Sequence, residues 1–278
     1  MRKSAFQPLS GHSSAYYLGG KTMLAVTRKA QIKDLILEKK SVTVVELSKK
    51  FSVTEETIRK DLQQLENEGF LTRTYGGAFI QDGVLNDIDL TLRETAYVES
   101  KDAIADACAG LIRHGDSIFL DASTTATFLA KRIKNMRLTV VTNSLMVIDQ
   151  LKDSETIHLV GIGGIYSAKT KAFNGRTASE GLKKYFLDKS FISCRSLSMT
   201  HGITDSNEEI ALIRQTVLKN SNSVYLIADK SKFDKTSFLH ICDYDSIHGI
   251  ISDYAFTREW RDFLEQKQVQ IYECGQHV

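Results

Sequence analysis

Two sets of side chains in this sequence have the types and spacing for recognition chemistry. The first lies in E-E-T-I-R-K-D-L-Q-Q-L, residues 55–65. On a helix, Ile58, Leu62 and Leu65 fall at i, i+4, i+7 on one face, leaving Glu56, Thr57, Arg59, Lys60, Gln63 and Gln64 on the other. Those are base-reading types: arginine forks onto guanine, glutamine pairs with adenine and threonine meets the thymine methyl. A solvated charged face is the ordinary alternative for such a helix taken alone. The second set sits where short apolar runs end: Asp121-Ala122-Ser123-Thr124-Thr125, Thr142-Asn143-Ser144, Gly161-Ile162-Gly163-Gly164, Asp205 through Glu209, and Asp229 through Phe233. Hydroxyls and free amides at a helix start suit a phosphate, glycines allow close backbone approach, a carboxylate can hold sugar hydroxyls, and Lys232 can neutralise phosphate. Plain N-capping and surface ion pairing are the alternatives there.

The elements that position the first set carry their own start and stop signals. Thr43 and Glu46 have capping-box spacing, and Val44, Leu47 and Phe51 share one face of the helix they open. Ser52 and Val53 make a turn; Thr54 is a second N-cap, with Glu55 and Glu56 at the positive helix end and Val53 and Ile58 at staple spacing. Gly69 is the expected helix end. Beyond it F-L-T-R-T-Y alternates and closes at Gly76-Gly77, a ribbon that puts a cation, Arg73, beside an aromatic, Tyr75. Upstream, Ile32, Leu35 and Ile36 give a helix over Arg28–Lys39, the third that a two-helix reader needs for a core. The whole reads as a helix-turn-helix with a wing, which weighs against the solvated-face alternative and predicts contact with a DNA duplex through 54–64 and the wing.

After a polar stretch the pattern changes. Strands are expected at Ser117–Asp121, Leu138–Thr142, Thr156–Val160, Ser190–Ser193, Val224–Ala228, Ile247–Ile251 and Val269–Tyr272. Helical spacing appears around 99–113, 124–134, 144–151, 177–186, 208–220 and 257–266. One-for-one alternation implies an α/β domain with a mostly parallel sheet, whose ligands sit at the carboxyl ends of strands. No G-x-G-x-x-G fingerprint or Walker A lysine motif occurs, so neither NAD nor ATP is supported and no cofactor is expected.

Composition excludes several classes. Hydrophobic residues at 42% and charged residues at 25% are ordinary for a globular chain, and no apolar run approaches the ~18 residues of a membrane span. Net charge is +2, so any case for nucleic acid rests on local placement rather than on a global basic field. Cys108, Cys194, Cys242 and Cys274 lie far apart with no C-x-x-C pair, which points to reduced thiols in a cytoplasm and away from a metal site.

The run V-x-E-L-S-K-K-F-x-V-T-E-E-T-I-R-K-D-L-x-x-L-E-x-E-G-F-L-x-R-x-Y-G-G-A resembles the N-terminal signature of the DeoR family of bacterial transcription regulators. Lys60 stands where that family usually has a second arginine and Tyr75 where it usually has histidine. Arg59 is therefore the expected base contact and Lys60 a phosphate contact, since lysine lacks the planar fork. L-D-A-S-T-T, V-V-T-N-S, G-x-G-G and L-I-A-D-K-S-K-F are similar to the family's sensor domain, extending the resemblance over about 28–253. It implies a fold like ribose-phosphate isomerases and a phosphorylated sugar bound without turnover. Where the family reads close to F-I-G-A-D-G-I, this chain has F-I-S-C-R-S-L at 191–197, with Ser193 and Ser196 for glycines and Arg195 for an acid.

The resulting expectations are a disordered extension at 1–22 with Met23 as natural start, a winged helix-turn-helix at 23–80, a linker at 81–94 and an effector-sensing α/β domain at 95–278. DNA contacts are assigned to Thr54, Glu56, Thr57, Arg59, Lys60, Gln63, Gln64, Arg73 and Tyr75. Ligand contacts are assigned to Asp121, Ser123, Thr124, Thr125, Asn143, Gly163, Gly164, Arg195, Asp205 and Lys232. The partners are double-stranded operator DNA, a phosphorylated sugar and further copies of the chain. A sugar-phosphate isomerase with a DNA-binding appendage, using Asp121, Asp205, Glu208 or Glu209 as acid and base, is the alternative; a purely structural oligomeric DNA protein is the third.

Overall fold

The computed structural model describes residues 24–39, 41–68, 70–79 and 90–275. The extension at 1–22 with its expected start at Met23, the helix end at Gly69 and most of the expected linker lie outside the described residues. Three helices, α1 (Ala25–Lys39), α2 (Val44–Phe51) and α3 (Glu55–Asn67), pack on three short antiparallel strands, β1 (Ser41–Thr43), β2 (Thr72–Thr74) and β3 (Gly77–Phe79), ordered β1-β3-β2. Both expected caps form: the Thr43 hydroxyl accepts from the Glu46 amide at 3.1 Å, and the Thr54 hydroxyl from the Thr57 amide at 3.2 Å. Lys39 holds the Glu46 carboxyl below its usual range. Between α2 and α3, Ser52 takes the left-handed conformation at φ 53° and Ser48 Oγ donates to the Val53 carbonyl at 2.6 Å, closing a tight turn.

Ile32, Ile36, Val44, Leu47, Ile58, Leu62 and Leu65 form the core of this unit. One ion pair is buried beside them: Arg28 Nε donates to Asp61 Oδ2 at 2.6 Å, with each side chain 6% exposed. A Cβ on Gly77 would lie 2.1 Å from the Val42 carbonyl oxygen, so β3 can cross beside β1 only with glycine there.

In the segment expected as linker, α4 (Leu90–Thr95) is helical. Six residues carry too little hydrophobic period to be read from sequence. The helix is held from outside, by the Lys101 ammonium donating to the carbonyls of Arg93 and Ala96 and by Lys171 Nζ, which reaches Glu94 at 3.0 Å.

The larger unit contains all seven expected strands: β4 (Ser117–Leu120), β5 (Leu138–Thr142), β6 (Ile157–Gly161), β9 (Leu187–Ile192), β12 (Ser221–Ile227), β14 (Gly249–Ser252) and β15 (Gln270–Glu273). They form one wholly parallel sheet in the order β15-β14-β12-β9-β4-β5-β6. Helices α5 (Val98–Leu111), α6 (Thr124–Ile133) and α7 (Leu145–Leu151) cover one face, where Ile118, Leu120, Val140 and Phe191 point. The other face, with Phe119, Val141, Ile192 and Leu226, packs on α8 (Gly175–Leu182), α9 (Glu208–Lys219) and α10 (Arg258–Gln266). This is the alternation a doubly covered sheet requires.

Five short strands were not legible in the sequence: β7 (Ile165–Ser167) and β8 (Ala172–Asn174) form a hairpin, while β10 (Ser196–Ser198), β11 (Gly202–Asp205) and β13 (Leu239–Cys242) form a small antiparallel sheet. Chain order in the main sheet reverses between β4 and β9, which leaves a crevice at their carboxyl ends. No helix among the described residues is long and apolar enough to cross a membrane.

Candidate functional site

The reading helix offers a stripe rather than a whole face. Glu56, Arg59, Lys60 and Gln63 follow one another at i, i+3, i+4, i+7 on α3, opposite Ile58, Leu62 and Leu65. Arg59 donates to Glu55 at 2.8 Å and Lys60 lies 3.8 Å from Glu56, both exposed i,i+4 pairs of the kind that hold little energy and yield readily to a phosphate or base. Thr54 is exposed and bonded to the half-buried Thr57 at the helix start. Gln63 Nε2 donates to Asn67 Oδ1 at 3.1 Å within α3, and two assigned residues are tied to other elements of the unit. Gln64 accepts from Lys29 Nζ at 2.9 Å, which turns it towards α1. Arg73 donates to Glu66 through its amide at 2.9 Å and its Nε at 2.8 Å, tying the wing to α3 and holding the Glu66 carboxyl below its usual range. Tyr75, in the turn between β2 and β3, is fully exposed.

At the β4/β9 crevice lies a cavity of about 800 Å³, within the ~300–1,000 Å³ usual for small-molecule sites. Asp121, Ser123, Thr124 and Thr125 reach it from the end of β4, Asn143 from β5, Arg195 from β9, Asp205 from β11 and Lys232 from the segment after β12. Ser123 caps α6, its hydroxyl accepting from the Ala126 amide at 3.1 Å, so the first-turn amides of Thr124 and Thr125 have no partner within the helix and point their partial charge into the cavity. Asn143 is 2% exposed; its Nδ2 donates to the Phe173 carbonyl at 2.9 Å, while its Oδ1 has no partner among the described residues. A hydroxyl donor would complete it.

Gly163 and Gly164 are not part of the wall. A Cβ on Gly164 would lie 2.7 Å from the Asn174 carbonyl oxygen and 2.9 Å from the Ala178 Cβ, so this glycine lets the chain pass close against α8, behind Asn174, rather than approach a ligand. Asp121 and Asp205 do line the cavity, but both are tied to a residue that the sequence reading missed. Arg214, on α9 and 6% exposed, donates from Nε at 3.0 Å and from a second guanidinium nitrogen at 2.9 Å to Asp121 Oδ2, and from its third nitrogen to Asp205. Asp121 also accepts from the Ser123 amide at 3.0 Å and the Ser193 amide at 2.8 Å. Burial disfavours the Arg214 charge, yet the two carboxylates outweigh it and hold the guanidinium firmly protonated. The triad therefore locks the ends of β4, β9 and β11 together. Its signal was present: Arg214 sits among Ala211, Ile213 and Val217 on the apolar side of the helix, where a cation needs a buried acid.

Four further side chains of the wall bear on its chemistry, and Lys169 and Lys235 add charge to it. Phe70 comes from the N-terminal unit and Arg93 from α4, so the cavity is closed partly by the reader and its junction. Lys101, 3% exposed, is pushed down to about 8 by burial. Asp229, bonded to Ser231 at 3.0 Å, is buried, but Lys232 beside it keeps its carboxyl below the usual range. Seven cationic side chains against three acidic ones line the space.

Two family models match the chain: one described as the DeoR-like helix-turn-helix domain, over residues 28–83, and one as the DeoR C terminal sensor domain, over 96–254. Among curated proteins the chain is 37% identical over 249 residues to YulB, an uncharacterized HTH-type transcriptional regulator of Bacillus subtilis (strain 168), covering 90% of this chain and 96% of that one. It is 32% identical to the L-fucose operon activator of Haemophilus influenzae (82% and 91% covered) and 30% identical to the HTH-type transcriptional repressor GlcR of Bacillus subtilis (88% and 94%). Among solved structures, ribose 5-phosphate isomerase A from Methanocaldococcus jannaschii aligns with a TM-score of 0.36 at 18% identity, over 48% of this chain and 53% of that one.

Proposed function

This chain belongs to the DeoR family of transcriptional regulators, and we propose that it represses carbohydrate genes by reading operator DNA through α3 and the wing, under control of a phosphorylated sugar in the β4/β9 cavity. The observation that carries this reading is the shared wall: a cation-rich cavity with a helix N-terminus for phosphate and an open Asn143 Oδ1 for a hydroxyl is closed by Phe70 of the reader and Arg93 of the junction. The L-fucose operon activator and a putative aga operon transcriptional repressor support the target, and the naming of GlcR and AccR as repressors alongside the latter supports the sign.

Binding without turnover fits the site, because Asp121 and Asp205, the carboxylates best placed for acid and base work, are both committed to Arg214. A homo-oligomer fits the reader, since one winged helix covers a short site and symmetric pairing lets two of them act together.

The test is thermal unfolding of the full chain with a panel of sugar phosphates, repeated on Thr124→Ala combined with Thr125→Ala. A phosphorylated sugar should stabilise the wild type, lose most of that effect in the double variant, and change operator affinity by ~1–3 kcal/mol of coupling. Stabilisation that survives the double substitution would show that the phosphate sits elsewhere. Conversion of ribose 5-phosphate by the purified chain would establish the isomerase alternative, and sedimentation as a monomer at micromolar concentration would remove the oligomer.

A further inference from the structure

Six cations of the cavity are left once the Asp121–Arg214–Asp205 triad is accounted for; Lys101 and Lys235 donate to backbone carbonyls, and three others stand out. Arg195 follows β9, Lys232 follows β12 and Arg93 comes from α4. Among the described residues none of the three forms an ion pair or donates a side-chain hydrogen bond, and Arg93 Nε is buried without a partner. Asp229, the one acid of the wall outside the triad, is bonded to both the amide and the hydroxyl of Ser231. The cations also act on one another: after burial, Arg195 is the largest influence lowering the Arg93 affinity for its proton, and at Lys232, whose affinity burial lowers and Asp229 supports, both arginines act in the same direction as burial. Cations that outnumber the acids of a half-buried wall are costly to the protein, and an anion is the group that compensates them.

We propose that the cavity takes a ligand with two anionic groups, the phosphate at the N-terminus of α6 and a second phosphate or a carboxylate between Arg93, Arg195 and Lys232. The proposal rests on reading the cavity as the effector site and narrows its ligand to a doubly anionic sugar derivative. Planar guanidinium forks suit either second group, since both present paired oxygens. The second seat also has a consequence for control. Arg93 lies on α4, the helix between the reader and the sheet, so the second anion grips the junction directly.

The test compares fructose 6-phosphate and glucose 6-phosphate with fructose 1,6-bisphosphate and 6-phosphogluconate by calorimetry on the full chain. The bisphosphate arm reports a second phosphate and the gluconate arm a carboxylate. The expected result is that at least one probe with two anionic groups binds about 10-fold or more tightly than its counterpart with one, a difference of about 1.4 kcal/mol. In Arg195→Ser and in Arg93→Gln that ratio should shrink to about 2-fold or less. Probes with one anionic group that bind as well as those with two overturn the second seat and leave the effector reading standing.

A second measurement does not depend on the sugar. Raising inorganic phosphate at constant ionic strength should increase the unfolding free energy with a slope of two bound ions in the wild type and one in Arg195→Ser. A slope of one in the wild type refutes the second seat, and a slope of zero refutes both seats. Because the side chains of Arg195 and Arg93 hold no bond among the described residues, both variants should unfold without phosphate at the wild-type temperature or above, which separates loss of a seat from loss of the fold.

Discussion

Asp34 of α1 accepts a hydrogen bond from the backbone amide of Tyr97 at 3.0 Å, so the first helix of the DNA-reading unit is fastened to the residue that begins α5. Burial raises the Asp34 carboxyl above its usual range, and the Tyr97 amide and the Lys101 ammonium draw it back down. Lys33, one residue earlier, reaches Thr95 Oγ1 at 3.3 Å and lies over the Phe70 ring at 5.3 Å. The reader and the sensor therefore meet through a few polar contacts around α4, the geometry expected of a contact that must reset.

Asp34→Ala should uncouple the two units while leaving each folded. Losing a hydrogen bond to a charged group costs ~1.5–3 kcal/mol, drawn here from the contact between units rather than from either core. Operator affinity without effector should change, and the shift in affinity that effector produces should shrink; a binding isotherm with and without effector that matches wild type would show the Asp34–Tyr97 contact to be idle.

Arg59→Ala should cost ~1–3 kcal/mol on the preferred operator and relax one base position, because Arg59 gives up only an exposed pair with Glu55 to reach a base. Lys60→Ala should weaken all sequences alike and flatten the salt slope by about one unit. Titrations against matched and single-base variant duplexes over a range of salt separate the two roles.

Arg214→Met should destabilise the α/β unit by ~3–5 kcal/mol, since it strands Asp121 and Asp205 without their cation. Adding Asp121→Asn and Asp205→Asn should return much of that loss. Trp260, the single tryptophan of the chain and 1% exposed, gives a fluorescence readout of denaturant unfolding within this unit.

Lys101 predicts a pH signature. Its folded pKa of about 8 lies below the ordinary lysine value of 10.5, so between those values the unfolded chain holds more protons and the folded state gains stability as pH rises. Anion binding should move the opposite way and weaken through pH 8, as the cavity loses a positive charge that faces Asp34, Arg93, Asp229 and Lys232. Lys101→Met should remove both trends; a wild-type affinity flat from pH 7 to 9 would argue against Lys101 as a charge of the site.

The main sheet was legible because each of its strands is a run of four to seven residues rich in β-branched and apolar types between helical spacings. The strands β7, β8, β10, β11 and β13 were not, being three or four residues long and set among serines, threonines and turns. Caps at Thr43 and Thr54 were readable because capping is a local hydrogen bond between near neighbours. Arg214, Arg93 and Lys101 were missed as site residues because what places them is long-range: Arg214 meets an acid 93 positions earlier in the chain. Gly164 misled for the same reason, since a glycine that admits a ligand and one that admits a helix look alike until the helix is seen.

Phe70 makes this regulator a poor source of interchangeable modules. A chimera joined in the expected linker would carry the sheet, the phosphate seat and the cations, yet would replace one wall of its own cavity with a residue from a foreign reader. Exchange of operator specificity is better confined to the α3 stripe and the Tyr75 turn, with Lys33, Asp34 and Phe70 kept from this chain, so that ligand selectivity travels with the graft.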